Sequence, residues 1–160
     1  MIGFGSAADA APAASSPAYA TALAGARALP ADAAAAQANV QSLVNSSRRS
    51  RGLAPLALDA RLTNAAQLQA NYMASIGRMT HTGSGGSTVA TRVTRVGYRW
   101  SYVGENIAYG QTSSSAVVAA WLASPPHAAN IYGAHYTQMG LGLTYARGVY
   151  WWSLVLARPA

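Results

Sequence analysis

Side chains able to do chemistry are scarce in this chain, which has four acidic residues, three histidines and no cysteine. Glu105 lies in Gly104-Glu105-Asn106-Ile107-Ala108-Tyr109-Gly110, and His135 lies in Gly133-Ala134-His135-Tyr136-Thr137-Gln138-Met139-Gly140. Glu105 is set within an apolar, strand-like run. Burial of a lone carboxylate is costly unless it is paired, so a partner is required, and His135 is the natural candidate. His81 sits in a Gly/Ser/Thr loop and His127 follows Pro125-Pro126. Two neutral imidazoles and one carboxylate can bind Zn²⁺ or another divalent cation and leave a position open. In such a site Glu105 either ligates directly or orients an imidazole from behind. The same groups could activate a water as a general base does. Ser124 and His127 are spaced for a nucleophile and its base, but no Gly-x-Ser-x-Gly elbow surrounds Ser124.

Plainer roles are available for each residue. His81 can be an exposed loop residue, His135 can anchor the turn before Tyr136, and His127 can tie down the segment after the prolines. Glu105 can accept backbone N–H groups. No short ligand spacing such as His-Glu-x-x-His is present, so only the fold can bring these groups together.

The elements that must do so are legible in the pattern. Residues 1–31 are rich in Ala, Ser and Pro without an apolar period, which predicts a flexible leader before a domain spanning 32–160. Asp32 is an expected N-cap for a helix carrying Ala36, Val40, Leu43 and Val44 on one face and ending near Arg49–Gly52. Asp59 caps a stronger helix, with Leu62, Ala65, Ala66, Gln69, Tyr72, Met73 and Ile76 at three- and four-residue spacing and Gly77 as its stop. A loop bearing His81, a short helix through Val89, Val93 and Val96, and a strand over 101–109 follow. Residues 113–124 predict another short helix, ended by Pro125-Pro126. Two alternating runs joined at Arg147-Gly148 predict a hairpin. Helices interspersed with a small antiparallel sheet indicate an α+β layered domain.

Composition narrows the function classes. All eleven basic residues are arginine and the formal charge is +7. That suits an anionic partner such as an envelope component, with Arg48, Arg49 and Arg51 as the dense cluster, although GC-rich coding explains a lysine-free basic composition as well. No zinc-finger or RNA-binding aromatic signature is present, so nucleic acid is not an expected partner. The absence of cysteine excludes disulfides and thiolate sites. No segment has the roughly 18 apolar residues a membrane span needs. The opening residues lack the charged and apolar regions of a signal peptide. Tyr98, Trp100 and Tyr102 alternate and are expected on one face of an extended segment, while Trp121, Trp151 and Trp152 are expected in the core.

Five segments in order carry a family resemblance: His81-Thr82, Gly97-Tyr98, Gly104-Glu105-Asn106-Ile107-Ala108, Trp121-Leu-Ala-Ser-Pro-Pro-His-Ala-Ala-Asn-Ile131, and His135-Tyr-Thr-Gln138 followed by Gly-Leu-Gly. Together they resemble the CAP superfamily of cysteine-rich secretory, antigen 5 and pathogenesis-related proteins, in a cysteine-free form similar to the bacterial branch. The resemblance implies an α-β-α sandwich around a central antiparallel sheet, an open cleft, and an extracellular or periplasmic location. It implies that His81, Glu105 and His135 correspond to cleft residues that bind a divalent metal. Ser124 stands where a second acid is usual, and His127 partly fills that space. Asn106, Tyr136 and Gln138 complete the implied cleft. The implied role is a binding module for small hydrophobic ligands (a sterol or fatty acid) or cell-surface partners, with a metal-assisted, protease-like hydrolase as the alternative.

Overall fold

The computed structural model describes residues 30–160, and the expected leader over residues 1–29 lies outside the described residues. Helix α1, Pro30–Arg49, begins with a proline, whose fixed φ and missing N–H suit a first helical turn. Asp32 therefore falls inside that turn and not at the cap. Ala36, Val40 and Val44 recur at four-residue spacing and are all buried. A two-residue strand β1, Ala57–Leu58, leads into helix α2, Ala60–Ile76. Asp59 caps α2 by accepting from the N–H groups of Arg61 and Leu62, and Gly77 closes it in the left-handed conformation (φ 64°). Helix α3, Val89–Arg95, starts from a capping box in which Thr88 and Thr91 exchange hydrogen bonds.

Strand β2, Trp100–Tyr109, is followed by helix α4, Ser114–Ala123. The prolines do more than end α4. They are the first residues of a further helix, α5, Pro125–Ile131, which places His127 on a helix and not on the expected loop. Two adjacent prolines stop one helix yet can open the next, because the first turn requires none of their missing N–H groups. Strands β3, Gln138–Ala146, and β4, Val149–Pro159, form the expected hairpin, its turn made by Arg147 (φ 58°) and Gly148 (φ 77°).

The sheet order is β1-β3-β4-β2. The three long strands are antiparallel, as expected, but β1 pairs with β3 in parallel, so the sheet is mixed. Both faces are covered. On one side α1, α4 and α5 pack on Leu141, Leu143, Trp152, Leu154 and Leu156. On the other, α2 and α3 pack on Val103, Val155 and Ala157. Burial of both faces explains why β4 reads as a continuous apolar run. The Gly-Leu-Gly pattern of β3 has a steric cause: a Cβ on Gly140 would lie 2.1 Å from the Thr63 backbone nitrogen, and one on Gly142 would lie 2.3 Å from the Ala66 carbonyl carbon. Glycine there lets α2 lie directly on the sheet. Trp121, Trp151 and Trp152 are core residues.

Candidate functional site

β2 is an edge strand, and its alternation sends consecutive residues of the Gly-Glu-Asn segment to opposite layers. Glu105, with Val103 and Ile107, faces α2 and α3. Gly104 and Asn106 face α5. Glu105 is fully buried, and its partner is Arg92, not His135. Arg92 Nη2 donates to Glu105 Oε2 at 2.6 Å, Ser153 Oγ donates to the same oxygen at 3.2 Å, and His81 Nδ1 meets Oε1 at 2.9 Å. Arg92 is itself 2% exposed, so the pair is a buried one. Such a pair is roughly neutral for stability when intact, whereas loss of one partner costs about 3–5 kcal/mol.

Arg92 also holds the loop that carries His81. Its Nη1 donates to the carbonyls of His81 at 3.1 Å and Ser87 at 3.0 Å. Glycine at position 83 makes room for this, because a Cβ there would sit 2.9 Å from Arg92 Nη1 and 2.7 Å from Gln69 Oε1. Gln69, the polar residue on the buried face of α2, donates to the Thr80 carbonyl and secures the same loop. One guanidinium thus balances the carboxylate and positions the imidazole that the carboxylate orients.

On the other layer, Asn106 and Asn130 stitch α5 to β2. Asn106 Nδ2 donates to the His127 carbonyl at 3.0 Å, and Asn130 Nδ2 donates to Asn106 Oδ1 at 2.9 Å and to the Glu105 carbonyl at 3.3 Å. Trp121 Nε1 donates to the Ile107 carbonyl at 3.2 Å. Edge-strand carbonyls are satisfied in this way by side chains from α4 and α5, which also blocks pairing of that edge with another strand. Tyr136 is buried beneath Gly104, where a Cβ would lie 2.4 Å from its hydroxyl, so glycine precedes Glu105 for a packing reason.

His127 is buried on α5, and its Nε2 has no hydrogen-bond partner among the described residues. Burial, and then the proximity of His81, pushes its pKa below the ordinary histidine range. Beside it a small pocket is lined by Met79, Ile107, Tyr109, Gln111 and Trp121, and Gln111 Oε1 is a second buried atom without a partner. Ser124 joins α4 to α5, and its side chain makes no capping hydrogen bond to α5. Gln138 accepts from the Tyr98 hydroxyl.

His135 lies elsewhere. Its ring sits between Tyr102 and Tyr136, with centroids at 4.6 and 4.2 Å, and burial, followed by the charges of Arg48 and Arg158, lowers its pKa. The structure therefore brings His81 to Glu105 and leaves His135 outside that cluster. Among the described residues, no group of three or more His, Cys, Asp or Glu side chains is placed to hold a metal ion. The donor set that does converge is His81, oriented by Glu105, with His127 nearby.

The arginine cluster and the aromatic stripe are both rearranged. Arg48 is buried and donates to the carbonyls of Ala54, Ile131, Gly133 and Tyr136, so it is a structural residue and not part of a surface patch. Tyr98 is 1% exposed, whereas Trp100 and Tyr102 are 36% and 45% exposed. Tyr98 lies before β2 begins at Trp100, so the expected alternation does not extend to it.

Arg92, Ser153 and Asn130 are the site residues that sequence reasoning missed. Arg92 had a signal: it shares the helical stripe of Val89, Val93 and Val96, where an arginine is out of place unless paired. Ser153 likewise interrupts the apolar run of β4.

Relatives place this architecture. The uncharacterized protein YkwD of Bacillus subtilis is 30% identical over 113 residues, 71% of this chain and 44% of the relative. An extracellular protein of Bacillus anthracis containing an SCP domain superposes with a TM-score of 0.72 at 23% identity, over 78% of this chain and 40% of that one. An outer surface protein of Borrelia burgdorferi gives 0.70 at 21% identity, over 76% of this chain and 90% of that one. The chain thus spans less than half the length of the two bacillus proteins. The family model of the cysteine-rich secretory proteins matches residues 41–156. With the α-β-α layers and the Gly-Glu-Asn strand in place, that match establishes that the chain belongs to the CAP (cysteine-rich secretory protein) family.

Proposed function

We propose that this chain is an extracellular binding module whose cleft, at the edge of β2, takes the polar head of a small hydrophobic ligand. The extracellular assignment follows the relatives described as extracellular or outer-surface proteins. The observation that carries the ligand reading is the pairing of two orphaned polar atoms, His127 Nε2 and Gln111 Oε1, with apolar walls from Met79, Ile107 and Trp121. Buried polar atoms are ordinarily paired, so two unpaired atoms in one pocket support a group supplied from outside. Its enclosed space is ≈ 10 Å³, enough for one water-sized group. Only a head group enters, and the apolar body lies across the mouth by Met79 and Tyr109. Burial holds His127 neutral, which favours a hydroxyl, as in a sterol, over the carboxylate of a fatty acid.

The test is saturable uptake of a fluorescent sterol, measured beside a fluorescent fatty acid. Micromolar binding of the sterol, weakened about tenfold or more in His127→Leu, supports the reading. No saturable binding of either probe, or equal binding by that variant, overturns it.

A divalent cation is the second reading, favoured by the hydrogen bond from His81 Nδ1 to Glu105, the arrangement by which carboxylates orient metal-binding imidazoles. His81 and His127 would be the protein donors, and a pair of imidazoles is one donor short of the usual three-ligand zinc site. Calorimetric titration with Zn²⁺ should then lose its signal in His81→Ala and in His127→Ala but keep it in His135→Ala. The hydrolase alternative has no support: both Glu105 oxygens are occupied by partners, and no base engages Ser124 through the unpartnered His127 Nε2.

A further inference from the structure

A second surface lies where the start of β2 meets the end of β4, away from the cleft. Among the described residues Trp100 and Tyr102 are two of the few large apolar side chains that are exposed, and each is tied to a neighbour. Trp100 Nε1 donates to Thr94 Oγ1 at 3.0 Å, which fixes the indole by its edge. Tyr102 stacks on His135. Arg158 pairs directly with Tyr102 across the strands and is exposed beside it. Arg99 is exposed next to Trp100, and both line an open groove of ≈ 370 Å³.

No carboxylate side chain among the described residues answers these cations. The two acids whose side chains are described are already matched, Asp59 by Arg61 at 2.7 Å and Glu105 by Arg92 at 2.6 Å. Rigid aromatic faces flanked by uncompensated guanidinium groups suit a ligand that offers flat apolar faces and anionic groups at short intervals. An acidic polysaccharide does so: the C–H face of a pyranose packs on an indole or phenol ring, and its carboxylate or phosphate accepts from the arginine fork.

We infer that the Trp100–Tyr102 surface, with Arg99 and Arg158, is a docking site for an acidic polysaccharide. Charge complementarity selects the polyanion, and the two pinned rings select sugars over a simple charged chain.

The experiment is a binding titration with fluorescein-labelled polygalacturonate at 50 to 300 mM NaCl. Neutral dextran, polyglutamate and a single-stranded oligonucleotide are the comparison probes. The variants are Trp100→Ala, the double substitution Arg99→Ala/Arg158→Ala, and Arg49→Ala/Arg78→Ala as an equal charge change at other exposed positions, each checked for an unchanged melting temperature. The expected result is saturable, salt-sensitive binding of polygalacturonate, weakened at least about tenfold in the first two variants and about threefold or less in the third. Equal losses in the two double variants would overturn the site in favour of diffuse charge. Polyglutamate or the oligonucleotide binding as tightly as polygalacturonate, or Trp100→Ala binding unchanged, would overturn the sugar assignment.

Discussion

Among the described residues two arginines are buried, one in each layer, and they are accommodated in opposite ways. Arg92, under the sheet with α2 and α3, faces a carboxylate, so its charge is cancelled. Arg48, at the end of α1, has only carbonyl partners: those of Ala54, Ile131, Gly133 and Tyr136. Burial lowers its pKa, as desolvation of an uncancelled cation must. The difference separates their tasks. A neutral pair can sit under a binding cleft without imposing a net charge on the ligand, and Arg92 Nη1 donates to the His81 loop. Arg48 instead gathers the C-terminal end of α5 and the turn after it, where helix carbonyls carry partial negative charge. It builds the support beneath His135 and Tyr136.

The largest expected effect breaks the first arrangement. Glu105→Ala leaves Arg92 buried without its counter-charge and should cost about 3–5 kcal/mol in urea unfolding. The double variant Glu105→Leu/Arg92→Met removes both charges and should recover most of that loss, since a buried pair contributes little net stability when it is exchanged for apolar groups. A double variant no more stable than Glu105→Ala would show that Arg92 matters chiefly for the His81 loop and only secondarily for charge balance.

Arg48→Met is the matching test on the other layer. It removes charge-assisted bonds to four carbonyls and should cost about 2–3 kcal/mol, with no second substitution able to restore it. Hydrogen exchange should separate the two arginines further. Amides of residues 131–136 should exchange faster in Arg48→Met, and those around residues 81–87 in Arg92→Met. Faster exchange at both loops in both variants would mean that the layers are not independent.

Sequence alone carried most of the frame and less of the site. Caps and stops are local, so Asp59, Gly77 and the Arg147-Gly148 turn were readable from a few residues each. The paired prolines misled because their effect depends on which side of them a helix lies. The scarcity of polar groups points from Glu105 to His135, yet β2 sends Glu105 to one face while His135 packs on Tyr102 and Tyr136 toward the other. Strand alternation predicts which residues share a face, but only the sheet order and the docking of α3 and α5 decide what waits on each face. Arg48 taught the same lesson from the charge side. Three arginines close in sequence read as a patch, but only Arg48 and Arg49 are on α1, Arg51 lies in the turn after it, and Arg48 entered the core.

The smallest effect is the pH dependence, and it samples two places on the α1, α4 and α5 side of the sheet. His127 and His135 each have a pKa lowered from the ordinary 6.5, with burial as the first cause. A histidine whose folded pKa lies below its unfolded value binds fewer protons when folded. Its contribution is intact above the unfolded pKa and is lost as pH falls through the lowered folded value. The urea midpoint should therefore be steady above about pH 7 and should decline on acidification below about pH 6.5. His127→Gln should flatten part of that decline from the cleft side. His135→Phe, which retains an aromatic ring between Tyr102 and Tyr136, should flatten another part from the Arg48 side. Because His127 lines the pocket at the edge of β2 while His135 packs between Tyr102 and Tyr136, and the two share no hydrogen-bond partner, their effects should add. A decline untouched by the double variant would assign it to carboxylates instead, and a decline removed by either single variant would mean that the two sites unfold through one proton-linked step.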